Sequence, residues 1–180
     1  MFVQIQGTPN VNSMKFLVED EWLDFIWECK TESDALKSPL SESLWGIDGV
    51  VYLMFGRKFV SITKTPAASW DELTGVILEV ISDYLLENNK IFNGSFQKKD
   101  KNLGKNDLEK KIIQLIDEKV QPTIESHGGQ IIFVRFDEGT VFLELKGACK
   151  GCPSSEITLK HGIQNLLKYY FPEVEKVESL

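Results

Sequence analysis

The chain has 180 residues, enough for one ordinary domain or two small ones, and its hydrophobic share of 42% excludes wholesale disorder. Its formal net charge is −7, so phosphate neutralisation offers nothing and nucleic acid is not an expected partner. Three cysteines are too few for a disulfide framework, and two of them stand three positions apart, which reads as a reducing compartment with a metal or redox site. No apolar run is long enough to span a bilayer, and no membrane partner is expected. The start Met1-Phe2-Val3-Gln4-Ile5 lacks signal- and transit-peptide character, which points to a bacterial cytoplasm or a processed organellar form.

Residues 1–88 alternate strand and helix signals. Val3 and Ile5 open a strand and Met14–Val18 extends the pattern. Leu23, Phe25, Trp27 and Cys29 share one face at period two, so Cys29 is expected to face a core rather than a metal. Ser38-Pro39 opens a short helix. Val50–Phe55 and Phe59–Thr63 form a hairpin across Gly56-Arg57-Lys58. Ser69-Trp70-Asp71-Glu72 reads as a capping box, followed by the helical stripe Leu73, Val76, Ile77, Val80, Ile81, Tyr84, Leu85. Trp22, Trp27, Trp45 and Trp70 read as core or satellite packing.

Residues 89–106 are polar and rich in Lys and Asn, the composition of a flexible linker, although Ile91, Phe92 and Phe96 could dock on either side. Residues 107–180 form a second unit in the order α-β-β-α-β. The first helix carries Leu108, Ile112, Leu115, Ile116, Val120 and Ile124, with Pro122 kinking or ending it. His127-Gly128-Gly129 turns the chain. Two strands, Ile131–Phe136 and Val141–Leu145, flank Asp137-Glu138-Gly139-Thr140. Pro153 starts a helix with the stripe Leu159, Ile163, Leu166, Leu167, Tyr170, which Pro172 stops. Val174 and Val177 supply a final strand. The fold class is α/β, in the α+β sense, with two small domains.

The chemistry lies in Gly147-Ala148-Cys149-Lys150-Gly151-Cys152-Pro153. Cys149 and Cys152 are the expected metal and cofactor ligands, because soft thiolates at this spacing hold zinc, copper(I) or an iron–sulfur cluster. Gly147 and Gly151 permit unusual backbone angles, and a helix starting at Pro153 favours thiolate at Cys152. These features predict thiolates that are partly exposed. One pair supplies only half of the four ligands such sites need, and a second copy of the chain is the simplest completion. His161 lies too far along its helix to join the same metal, and His127 precedes a turn. A thiol–disulfide oxidoreductase is a rival, but the aromatic before CxxC and the Pro within it are missing. A structural zinc module is another.

The run Gly128-Gly129, then Leu145-Lys146-Gly147-Ala148-Cys149-Lys150-Gly151-Cys152-Pro153-Ser154-Ser155, Thr158-Leu159-Lys160, Gly162-Ile163 and Phe171-Pro172-Glu173-Val174 closely resembles the NifU C-terminal domain. Thr8-Pro9-Asn10, Asn12-Ser13, Lys15-Phe16, Lys37-Ser38-Pro39-Leu40, Gly49-Val50 and Trp70-Asp71-Glu72-Leu73 resemble the N-terminal domain of Nfu-type iron–sulfur proteins. Val11 stands where a proline would be expected, and Gln130 where an acidic residue is often found. The resemblance implies a scaffold or carrier, not an enzyme. It would bind a [4Fe–4S] cluster through Cys149 and Cys152 between the subunits of a homodimer, accept it from upstream assembly proteins and hand it to apo-proteins. Its location would be the bacterial cytoplasm, or the mitochondrial matrix for a processed form.

Overall fold

The computed structural model describes residues 3–19, 21, 23, 25–87, 102, 104–149 and 153–180, the last stretch with side chains from residue 157 onward. Two compact units divide the chain, Met1–Lys98 and Lys99–Leu180. Most of the expected linker, with Ile91, Phe92 and Phe96, lies outside the described residues, as does Trp22.

The first unit is an antiparallel sheet of β1 (Val3–Gly7), β2 (Ser13–Val18), β3 (Trp27–Cys29), β4 (Val50–Gly56) and β5 (Phe59–Lys64), in the spatial order β1-β2-β5-β4-β3. Helices α1 (Glu32–Ala35), α2 (Pro39–Trp45) and α3 (Trp70–Leu86) complete it. Strand alternation puts Phe16, Val60, Ile62, Leu53, Phe55, Trp27 and Cys29 in one core with Leu40, Leu44, Leu73, Ile77 and Ile81. Trp45 and Trp70 pack against its margin. Leu23 is buried in this core too, but the strand expected to begin near it covers only Trp27–Cys29. The Ser38 hydroxyl accepts the Ser41 N–H at 3.4 Å, the cap that the Ser-Pro pair predicts. Ser69 caps α3 one position earlier than a capping box would: its hydroxyl accepts the Asp71 N–H at 3.3 Å. Leu73, Ile77, Ile81 and Tyr84 form the buried stripe of α3, whereas Val76 is exposed at its edge.

The second unit opens with α4 (Asp107–Leu115). Here Asn106 and Glu109 form a capping box, each side chain accepting the other residue's N–H, at 2.9 and 3.0 Å. A π-helical turn, Ile116–Val120, then joins α4 to α5 (Gln121–Ser126). Pro122 explains it. Proline has no N–H to give the carbonyl one turn back and its ring crowds that carbonyl, so the chain widens by one residue, and the Gln121 N–H reaches Ile116 O instead. Strands β6 (Gly129–Asp137) and β7 (Thr140–Gly147) are joined through Glu138 and Gly139, both at positive φ (42° and 75°), as a two-residue hairpin turn requires. α6 (Pro153–Tyr170) returns the chain to β8 (Lys176–Ser179), which pairs parallel to β7. Gln164 accepts the Val177 N–H at 3.1 Å and Lys160 pairs with Glu178 at 2.7 Å, tying α6 to that strand. Ile163 and Leu167 face the core. Tyr170, expected on the same stripe, is 49% exposed and meets Tyr169 edge to face. By the final residue of α6, the helical stripe has rotated off the sheet.

Candidate functional site

The site is built where β7 ends. The last register pair of the β6–β7 ladder is Gly129 opposite Gly147. Gly147 has φ 68° and swings the chain off the sheet; Ala148 N–H then donates to Gly128 O at 3.0 Å. On the other side, α5 closes with His127 N–H to Ile124 O (3.1 Å) and Gly128 N–H to Glu125 O (3.0 Å), with Gly128 at φ 73°. Two glycines in the left-handed region, one just before β6 and one closing β7, thus bring the residue after Ala148 back over the start of β6.

That residue is Cys149. It is 6% exposed and packs in the same apolar cluster as Ile124, Leu145, Ile163 and Leu167. Its sulfur sits on Gly129: a Cβ built there would stand 2.3 Å from Cys149 Sγ and 3.1 Å from Ile124 Cγ2. Gly129 is not at positive φ, so the backbone does not demand glycine; the sulfur does. This seat is the functional feature that sequence reading alone leaves as a mere turn. The available signal was a second glycine directly after the turn glycine, opposite Gly147 in the hairpin.

The burial of Cys149 corrects the expectation of partly exposed thiolates for the first of the two cysteines. An apolar pocket under the loop holds the sulfur, whereas the flanking glycines had suggested an open loop. Lys150, Gly151 and Cys152 lie outside the described residues, so the structure bears on only one of the two proposed ligands. Pro153 is the first residue of α6, the helix start that the sequence predicts there. His127 and His161 are both exposed. Among the described residues no group of three or more His, Cys, Asp or Glu side chains gathers at metal-binding spacing.

Cys29 lies apart from this site, in the first unit. It is fully buried in that core, its thiol donates to Thr31 O at 3.6 Å, and burial, with Asp34 close by, pushes its pKa up to about 12. It has the character of a packed small apolar residue, as the sequence predicts.

An antiparallel α+β domain followed by an α-β-β-α-β domain with a cysteine seated at the β7–α6 junction is a defined class of protein. The family model described as the scaffold protein Nfu/NifU N-terminal domain matches residues 3–88, and that described as a NifU-like domain matches residues 112–178. The chain belongs to this Nfu-type family. The protein named NFU1 iron-sulfur cluster scaffold homolog, mitochondrial, from Drosophila willistoni is 36% identical over 100% of this chain and 64% of its own length. Its namesake from Drosophila sechellia is 35% identical over 100% of this chain and 65% of its own length. The chain therefore spans a little under two thirds of these relatives. The solution NMR structure of a NifU-like protein from Saccharomyces cerevisiae is a looser match, at a TM-score of 0.48 and 21% identity over 53% of this chain and 87% of that one.

Proposed function

We propose that this chain is an iron–sulfur cluster scaffold and carrier, not an enzyme. Its cargo is a [4Fe–4S] cluster held by Cys149 and Cys152 of two copies of the chain, and its partners are upstream assembly proteins and apo client proteins. The observation that carries the reading is the seat of Cys149. The fold spends two left-handed glycines and one sterically obligatory glycine to hold this sulfur over the start of β6, in a chain whose two halves both match the family. The names of the relatives favour the iron–sulfur cargo over zinc, and their mitochondrial label favours the matrix form over a bacterial cytoplasm.

The residues present fit half of a cluster site. Two thiolates from one chain leave two coordination positions for a second copy. The shielded sulfur adds a step. Cys149 must turn off Gly129 before it can ligate, with Gly147 and Ala148 as the moving backbone. Uptake, dimer formation and exposure of Cys149 are then one event. Release is ligand exchange, in which client thiolates replace Cys149 and Cys152 one at a time while each freed Cys149 returns to its apolar seat. The domains would divide as residues 1–88, a connecting 89–106 and the cluster-binding 107–180.

Anaerobic reconstitution with iron and sulfide tests the reading. The expected product is a dimer that absorbs broadly toward the blue, and that neither Cys149→Ser nor Cys152→Ser can form. A stable zinc complex that excludes iron and sulfide would establish the zinc module instead. Efficient insulin reduction without cluster binding would establish the oxidoreductase.

A further inference from the structure

We infer that α5 is a gate over Cys149: a short helix between two backbone joints that opens locally, with the rest of its domain folded, to free the sulfur from its seat. Ile124 of α5 is a wall of that seat. Its Cγ2 and Cys149 Sγ both lie within 3.1 Å of one point over Gly129. The apolar cluster that closes around the sulfur also draws on Leu145 of β7 and on Ile163 and Leu167 of α6. For the sulfur to leave, one of these three elements must yield.

Two of the three are firmly held. β7 is the middle strand of its sheet, bonded to β6 on one side and β8 on the other. α6 runs for 18 residues and is tied to β8 through Gln164, which accepts the Val177 N–H at 3.1 Å, and through Lys160, which meets Glu178 at 2.7 Å. α5 is six residues long, and its buried residues are Gln121 and Ile124 alone. Pro122, Thr123 and Ser126 are exposed. Local opening is cheapest where few buried groups hold an element down. Here one of the two is the wall of the seat itself, and the other is Gln121, whose Oε1 accepts the Ile131 N–H at 3.2 Å.

Both ends of α5 are joints. At its start the π-helical turn Ile116–Val120 breaks the regular helical ladder, and no side chain caps the helix. At its end Gly128 stands at φ 73°, directly before the Gly129 on which the sulfur lies. Rotation about these joints lifts Ile124 from the seat while α4 and the β6–β7 ladder stay in place. Gly147 and Ala148 then have room to swing the sulfur out. The coupling is reciprocal: a seated sulfur holds α5 down, and a departed one loosens it. Use of this gate in cluster uptake rests on the proposed cargo; the opening itself does not.

The test labels the full, cluster-free chain with iodoacetamide at fixed pH and reads Cys149 by peptide mass, so no iron enters the measurement. Local opening predicts a labelling rate that barely changes with urea while circular dichroism still shows a folded chain. A rate that climbs with urea in step with global unfolding would overturn the gate. Two matched variants then separate the walls. Gln121→Ala removes the tie of α5 to β6, and Gln164→Ala removes a tie of α6 to β8. Without urea, Gln121→Ala should speed labelling by roughly three- to tenfold, the worth of one hydrogen bond, and Gln164→Ala should leave it unchanged. Equal acceleration by both, or acceleration by neither, would overturn the proposal. Should Gln121→Ala not fold, the urea profile of the parent decides alone. Failure to load iron and sulfide would sink the cargo reading and leave this result standing.

Discussion

At the scale of single residues, the site rests on one atom lying over a glycine. Gly129→Ala puts a methyl where Cys149 Sγ sits, 2.3 Å from the sulfur. The sulfur or β6 must move, and overpacking of this kind costs about 1–3 kcal/mol. Urea unfolding should show that loss. Because the sulfur is driven from its seat, the variant should also react faster with a thiol reagent at Cys149; a variant as stable and as slow to react as the parent would mean the seat is not shared. Cys29 gives the contrasting case. Its pKa is raised from 9.0 to about 12 in the folded chain, so the unfolded chain ionises first. The stabilisation from keeping this thiol neutral is fully present below pH 9 and is lost as pH rises toward 12. The difference in unfolding free energy between the parent and Cys29→Ala should shrink across that window, and Cys29→Ser should leave cluster loading unchanged. The cysteine spacing and the core position of Cys29 were legible because both are patterns along the chain. The seat on Gly129 was not, because it joins positions twenty residues apart through a hairpin register that no local pattern encodes.

At the scale of elements, caps, turns and stripes were read well where the signal is local: Ser38-Pro39, the Gly56-Arg57-Lys58 hairpin and the Glu138-Gly139 turn all form. Two features depended on what packs nearby. The π-helical turn ahead of Pro122 keeps Leu115, Ile116, Val120 and Ile124 in one core despite the proline, where sequence alone allows either a kink or an end. Glu109 has two tasks: it completes the α4 capping box and accepts the Phe136 N–H on the open edge of β6. Glu109→Ala should therefore cost about 1–2 kcal/mol in urea unfolding. Glu109→Gln keeps one acceptor oxygen but turns an NH2 toward the other N–H, so it should recover only part of the loss. A Glu109→Gln variant as stable as the parent would show that the second acceptor oxygen contributes nothing.

At the scale of the whole molecule, two separately cored units share one chain, and the proposed sharing of Cys149 and Cys152 between two copies would make assembly and cargo binding a single event. The fold class and the α-β-β-α-β order of the second unit could be read from periodicity with caps and turns, though α1 was not, but the cargo could not: spacing left zinc, copper and iron–sulfur clusters open, and family membership narrowed them. The most direct measurement is anaerobic reconstitution followed by native mass spectrometry with iron and sulfide counting. The account predicts four irons and four sulfides per two chains, carried only by dimer, and their loss together with the dimer's cluster-bound form in the double variant Cys149→Ser, Cys152→Ser. A cluster carried by a monomer, or one retained by that double variant, would contradict it.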